Sequence, residues 1–206
     1  MKRRFTLKVR KAESHPKETE MRVHTNRCIQ QGFGQIRREF GMLVRRATTA
    51  DQEKILNLRI KLQQHVEQSN PLIWRITKAG RQKLVHDVSH LLTNDTSLVL
   101  VAEQDNNIVG FAYGQILKRI EYEPNEAGII GMIFVLENYR RHGIGTQLIH
   151  KLCKYFEVEN VSHISLRYVL GNKEAEAFWQ HLGFKPIIYT SATDLETLKN
   201  QVKLKK

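Results

Sequence analysis

The feature that most constrains this chain is the apolar run GIIGMIFVL, Gly128 to Leu136, followed by RRHGIG, Arg140 to Gly145, and then by an amphipathic helix. The run has the length of a strand and falls well short of the roughly 18 apolar residues of a membrane span. After the glycines, Leu148, Ile149, Leu152 and Phe156 recur at three- and four-residue spacings and define one apolar helix face. A strand that enters a helix through glycines bares several main-chain N–H groups at the helix N-terminus, where the aligned peptide dipoles favour negative charge. Such a turn can cradle a diphosphate. Gly143 and Gly145 remove side-chain obstruction, Arg140 and Arg141 add positive charge at the rim, and His142 contacts phosphate or solvent. A glycine turn with incidental arginines is the alternative that this stretch alone leaves open. Two better-known phosphate motifs do not fit: a P-loop needs Lys-Ser/Thr where Thr146 and Gln147 stand, and the dinucleotide fingerprint needs a third glycine where Leu148 stands.

Elsewhere the pattern is that of a mixed α/β sheet. A short strand opens at Met42, and Asp51 supports the start of a helix whose residues Ile55, Leu58, Leu62 and Val66 share a face up to Ser69-Asn70-Pro71. A second helix spans about Lys78 to Leu92. Ser97–Gln104 and Ile108–Leu117 read as a hairpin around Asp105-Asn106-Asn107, and an acidic loop, Glu121 to Gly128, precedes the apolar strand. Strand His163–Leu170, helix Lys173–Leu182 and strand Lys185–Ser191 complete the expected order. Three regions follow: a basic, flexible extension over 1–41, a domain over 42–191, and a polar C-terminal helix or tail over 192–206.

Charge and cysteine content bound the function classes. The net charge of +12 invites a nucleic-acid reading, but residues 1–41 carry eleven Lys or Arg against four Glu, so over half of the excess lies outside the domain. Nucleic acid is therefore expected at most through that basic arm. The Arg-rich start lacks the apolar centre of a signal peptide, and no membrane partner is expected. Cys28 and Cys153 form no disulfide framework and suggest a reducing, cytoplasmic setting. Cys153 extends an apolar helix face and reads as packing. His86 and His90 stand one helical turn apart without a third ligand in a persuasive place, so no metal is expected.

Two segments together resemble a known family. VLENYRRHGIG, Val135 to Gly145, is similar to the Arg/Gln-x-x-Gly-x-Gly/Ala signature of the GNAT superfamily of acyl-CoA-dependent N-acyltransferases, with Arg140, Gly143 and Gly145 in the defining places. GNKEAEAFWQHLGF, Gly171 to Phe184, resembles the family's later Asn-x-x-Ala helix, matched by Asn172, Ala175, Leu182, Gly183 and Phe184. The resemblance covers about Met42 to Tyr189. It implies a GNAT-like fold, a mixed and mostly antiparallel sheet with helices on both faces. It also implies acetyl-CoA as acetyl donor and a primary amine of a small molecule or protein as acceptor, attacking the thioester directly. Arg140, Arg141, His142, Gly143, Ile144, Gly145 and Thr146 would hold the diphosphate. Ile133, Phe134 and Val135 would pair with the pantetheine arm, and an N–H near Val135 would stabilise the oxyanion. Asn172 would hold that arm or a water, and Trp179 would pack against cofactor or core.

The proton-transfer groups depart from the family pattern. Many relatives place a tyrosine where Trp179 stands, and an indole N–H does not surrender its proton. Arg167 occupies the place of the basic-role glutamate of the ribosomal-protein N-terminal acetyltransferases, and no carboxylate stands near Gly131 and Met132. The substitutes are Glu121, Glu123 and Glu126 as a negative rim, with Tyr113, Tyr122, Tyr168 and Tyr189 as donors; Glu126 and Tyr168 are the chosen pair. A module that binds acetyl-CoA without turning it over is the competing reading.

Overall fold

The computed structural model describes residues 41–70 and 74–202. The reading of 1–41 as a flexible arm, and Cys28 within it, therefore falls outside the described residues apart from Gly41. Two compact units emerge. One comprises the described parts of Met1–Gln64 and Ile76–Arg167, the other those of His65–Arg75 and Tyr168–Lys206.

The first unit is built on a five-stranded sheet with strands in sequence order. β1 (Met42–Arg46), β2 (Ser97–Gln104), β3 (Asn107–Lys118) and β4 (Glu126–Val135) pair antiparallel in turn. β5 (Ile164–Leu166) joins β4 in parallel. The β2–β3 hairpin turns at Asp105 and Asn106, both at positive φ (50° and 63°), which matches the twist of the flanking strands.

Helix α1 (Gln52–Ser69) begins in this unit, and α2 (Lys78–Thr93) starts where Thr77 accepts a hydrogen bond from the Gly80 N–H at 3.0 Å. Ile55 and Leu58 of α1 and Val88 of α2 bury against Val99, Val101, Phe111, Tyr113 and Phe134, which share one sheet face. Helix α3 (Ile144–Val158) covers the other face with Leu148, Leu152 and Phe156. It comes so close that a Cβ on Gly128 would lie 2.9 Å from the Phe156 ring. Covering both faces explains why β2 is buried at six consecutive positions rather than at alternate ones. The mixed, mostly antiparallel sheet with helices on both faces is the expected fold class.

The second unit contains α4 (Lys173–His181) and α5 (Leu195–Gln201). Trp179 is its buried anchor, edge-on to Phe178 at 4.9 Å and Phe184 at 5.4 Å. Gly183, at φ 86°, turns the chain so that the Phe184 N–H reaches the Trp179 carbonyl at 3.0 Å.

Three boundaries differ from the sequence expectation. β4 begins at Glu126, not Ile129, because Glu126, Ala127 and Gly128 find partners in Lys118, Leu117 and Ile116. β5 keeps only Ile164–Leu166 of the expected His163–Leu170, because β4 offers it a parallel partner over Gly128–Ile130 alone. Lys185–Ser191 forms no strand: Ile187, Ile188 and Tyr189 are 74–80% exposed and the segment has no ladder partner among the described residues. An apolar run becomes a strand only when a neighbour satisfies its backbone.

Candidate active site

The site is organised by one extra residue in β4. The β3–β4 register shifts between Tyr113 and Gly114, whose partners are Met132 and Ile130, so Gly131 is bulged out of the ladder. Only glycine fits there. A Cβ at Gly131 would stand 2.6 Å from the Tyr113 ring, which lies across the bulge with its hydroxyl donating to Gln115 Oε1 at 2.5 Å.

The bulge also changes which backbone groups face outward. Before it, the Gly128 N–H points towards β5 and donates to the His163 carbonyl at 2.8 Å. After it, the Leu136 N–H donates to Val109 on the β3 side at 2.9 Å, so by antiparallel alternation Phe134 and Met132 also bond to β3. Ile133 and Val135 are therefore the residues whose N–H and C=O groups turn towards the β5 side. β5 pairs only with Gly128, Ile129 and Ile130, so beyond the bulge this edge of β4 has no ladder partner among the described residues and its main-chain groups are open to one. Of the three residues expected at the edge, Ile133 and Val135 present main-chain groups there, while Phe134 is buried and paired with Phe111.

The turn after this edge has the shape of an anion nest. A short 3-10 turn, Glu137–Tyr139, brings the chain to Arg140, after which Arg141 adopts φ 65° and Gly143, the N-cap of α3, adopts φ 76°. Left-handed residues in such a turn converge successive N–H groups on one concavity. The α3 N-terminus has no side-chain cap and no acidic residue in its first turn, so the amides of Ile144, Gly145 and Thr146 keep their positive field. Arg141 and His142 are exposed beside it. Arg140 is held from two sides: its Nε donates to the Val135 carbonyl at 3.1 Å and its guanidinium lies 5.8 Å from the Phe134 ring centroid. It thus ties the nest to the open edge. A diphosphate suits the nest and an extended amide-bearing arm suits the edge, so the two surfaces fit the two ends of one CoA-like molecule.

On the α1/α2 face, beside Met132, a pocket of about 190 Å³ is lined by Arg59, Asp87, Val88, His90, Leu91 and Met132. Burial pulls the Arg59 guanidinium below its usual range, and the Asp87 charge opposes that shift. Asp87 itself pairs with Lys83 at 2.6 Å.

The family profile described as Acetyltransferase (GNAT) family matches residues 63–184. The chain belongs to the GNAT acetyltransferase family. An N-alpha-acetyltransferase of Sulfurisphaera tokodaii is 34% identical over 110 residues, an alignment covering 48% of this chain and 63% of that protein, so the match spans under two thirds of the relative. Among solved structures, a tetramutant of a Bacillus halodurans protein aligns with TM-score 0.66 at 20% identity, over 74% of this chain and 99% of its own. An aminoglycoside N-acetyltransferase in complex with CoA aligns with TM-score 0.59 at 20% identity, over 77% and 97%. A ribosomal-protein-alanine N-acetyltransferase from Brucella melitensis aligns with TM-score 0.56 at 17% identity, over 75% and 99%. At these identities the structural likeness establishes the shared fold.

Within this GNAT frame the remaining sequence-derived residues take definite places. Asn172 caps α4, its Oδ1 accepting from the Ala175 N–H at 3.1 Å, which leaves the amide nitrogen to donate. Trp179 is 4% exposed and packed between Phe178 and Phe184 in the second unit. Glu126 heads β4 opposite Lys118, seven residues before Ile133. That separation is about 23 Å along an extended strand, beyond proton-transfer reach of the open edge. Tyr168 is half-buried in the second unit, and Tyr122 and Tyr189 are exposed. Burial raises the Tyr113 hydroxyl, and its tilt towards Gln115, whose strand partner is Ile129, carries it away from Ile133. Burial, then the nearby Glu157, push the Cys153 thiol up, the opposite of an activated nucleophile. No group of three or more His, Cys, Asp or Glu among the described residues could hold a metal, and no helix among them is long and apolar enough to cross a membrane.

Sequence reasoning missed the pocket. Arg59 and Asp87 come from two helices whose apolar faces were recognised, but residues at the flank of such a face read from sequence as solvated charge. His90 was noticed only as half of a metal pair.

Proposed function

We propose that this chain is an acetyl-CoA-dependent N-acetyltransferase that moves an acetyl group to a primary amine of a small molecule or protein. The single observation that carries the reading is the adjacency of the nest at Arg141–Gly143 to the open edge at Ile133 and Val135. Bound there, the cosubstrate supplies an acetyl group activated as a thioester. The amides of Ile144, Gly145 and Thr146, with Arg141 and His142, would hold its diphosphate, while Arg140 braces the Val135 carbonyl and keeps the turn in place. Main-chain groups of Ile133 and Val135 would align its amide-bearing arm as a strand aligns a neighbour.

The neutral amine forms its bond to the acetyl carbon and negative charge gathers on the carbonyl oxygen; as the carbonyl re-forms the carbon–sulfur bond breaks, and CoA leaves as a thiolate that takes a proton from solvent. A rigid outward N–H at Val135 is a suitable donor for that oxygen, worth up to several kcal/mol when preorganised, roughly 3 by the usual measure. The departing proton needs an acceptor near the bulge. His90 and Asp87, lining the pocket beside Met132, are the groups we assign to this task in preference to Glu126. The N-alpha-acetyltransferase relative supports a protein or peptide N-terminus among the candidate acceptors.

The test is calorimetry of the full chain with CoA, followed by CoA release over a panel of amines. Gly143→Ala is the control for the cradle: no atom lies within 4 Å of the added Cβ, but φ 76° penalises it by about 1 kcal/mol. We expect micromolar-range CoA binding weakened several-fold by this substitution and turnover on some amines. Binding with no release across a broad panel favours a non-catalytic CoA-binding module. Absence of CoA binding by folded protein overturns the proposal.

A further inference from the structure

We propose that the pocket beside Met132 selects an acceptor carrying a carboxylate a short distance from its amine, with Arg59 as the carboxylate-reading residue. This rests on the acetyltransferase reading above and adds the substrate class to it. The argument begins with the state of Arg59. Arg59 lines the pocket, burial costs its guanidinium hydration, and no hydrogen bond or ion pair to it occurs among the described residues. The field of Asp87 is its one resolved electrostatic compensation, and that carboxylate is shared with the exposed Lys83 at 2.6 Å. A half-dehydrated cation with five donors and no direct acceptor is an unfinished ion pair.

The rest of the lining says what would complete it. Val88, Leu91 and Met132 are apolar, and the charged or titratable lining groups are Arg59, Asp87 and His90. The wall thus offers one strong cation for an anion, and on the α2 side a carboxylate and an imidazole suited to an amine or its proton. An acceptor with both functions on a short spacer complements this pattern, whereas a purely cationic amine leaves Arg59 facing like charge. Size agrees. A volume of about 190 Å³ holds an amino-acid-sized group. A planar, bidentate donor such as guanidinium recognises carboxylate by shape as well as charge.

Two sources present this chemistry: a free amino acid, or a peptide whose N-terminal residue is acidic. The experiment compares kcat/KM for aspartate against its diamide, and for N-terminal Asp-peptides against Asn-peptides, using the full chain and Arg59→Gln and Arg59→Lys variants. We expect the carboxylate member of one pair to be preferred by about 10- to 100-fold, the range of a charge-assisted hydrogen-bond pair. Arg59→Gln should remove the preference mainly through KM, and Arg59→Lys should restore part of it; whichever pair shows the effect identifies the source. Direct calorimetry with N-acetyl-aspartate against its diamide separates the two levels of argument. Discrimination by binding without turnover keeps the pocket assignment and sinks the transferase reading. Turnover or binding that ignores the carboxylate, or a preference that survives Arg59→Gln in a variant with unchanged melting, overturns the inference.

Discussion

Replacing Asp51 with Asn probes how this chain fastens α1, the helix that carries Arg59, to the sheet. The Asp51 carboxylate is 8% exposed and takes a two-pronged contact from Arg45, Nη1 to Oδ2 at 2.7 Å and Nη2 to Oδ1 at 2.9 Å. Arg45 Nε reaches Glu103 Oε2 at 2.8 Å, and Asp51 Oδ2 also accepts the Thr48 N–H at 2.8 Å. One carboxylate thus joins β1, β2 and the entry to α1. Hydrogen bonding from Arg45, ahead of the opposing cost of burial, lowers the Asp51 pKa from 3.8 to about 2. Lowering the carboxylate to that value corresponds to about 2 kcal/mol of stability. The sign is fixed by linkage: this contribution is complete above the unfolded value near 3.8 and disappears as pH falls through the folded value near 2. Asn cannot titrate, and it leaves Arg45 with the Glu103 carboxylate and the Arg46 carbonyl. Urea unfolding of both proteins at pH 7, 4, 3 and 2 should show a gap of about 2 kcal/mol or more at pH 7, shrinking by about that amount between pH 4 and pH 2. Comparing the two proteins cancels the other carboxylates. A gap that is the same at pH 2 as at pH 7 would refute the account of the network.

Two further substitutions test the fold where it shapes the site. Gly131→Ala puts a methyl group 2.6 Å from the buried Tyr113 ring, so we expect a loss of about 1–3 kcal/mol and impaired turnover; an unchanged melting temperature contradicts the bulge as described. Ile188→Ser should alter stability by less than about 0.5 kcal/mol, because this 80% exposed residue belongs to no strand. A loss above about 2 kcal/mol in denaturant unfolding would show that Lys185–Ser191 is paired after all.

The contrast between what sequence conveyed and what it withheld lies in β4. The apolar run from Gly128 to Leu136 announced a strand, and the Arg140–Gly145 signature announced a nest, because each depends only on residue types at fixed local spacing. The hairpin at Asp105-Asn106 was legible for the same reason. A continuous apolar run, however, carries no phase. With both faces covered there is no alternation to tell which residues turn their N–H groups outward, and one unpaired residue reverses the answer. The hint was Gly131 itself, a glycine inside a run of branched and long side chains, where a close approach or a bulge is the usual cause. Once the bulge is placed, Ile133 and Val135 face the gap and Phe134 does not. The pocket was hidden for a different reason. It is assembled from Arg59, Asp87 and Met132, residues far apart in sequence and each unremarkable alone, and only the packing of α1 and α2 on the sheet face that carries Met132 brings a half-buried cation to it. On the proposed reading the cofactor end of this site is a local property of one strand–turn–helix unit and acceptor choice a tertiary one, so we expect substitutions at the flanks of α1 and α2 to change the acceptor without disturbing the cradle.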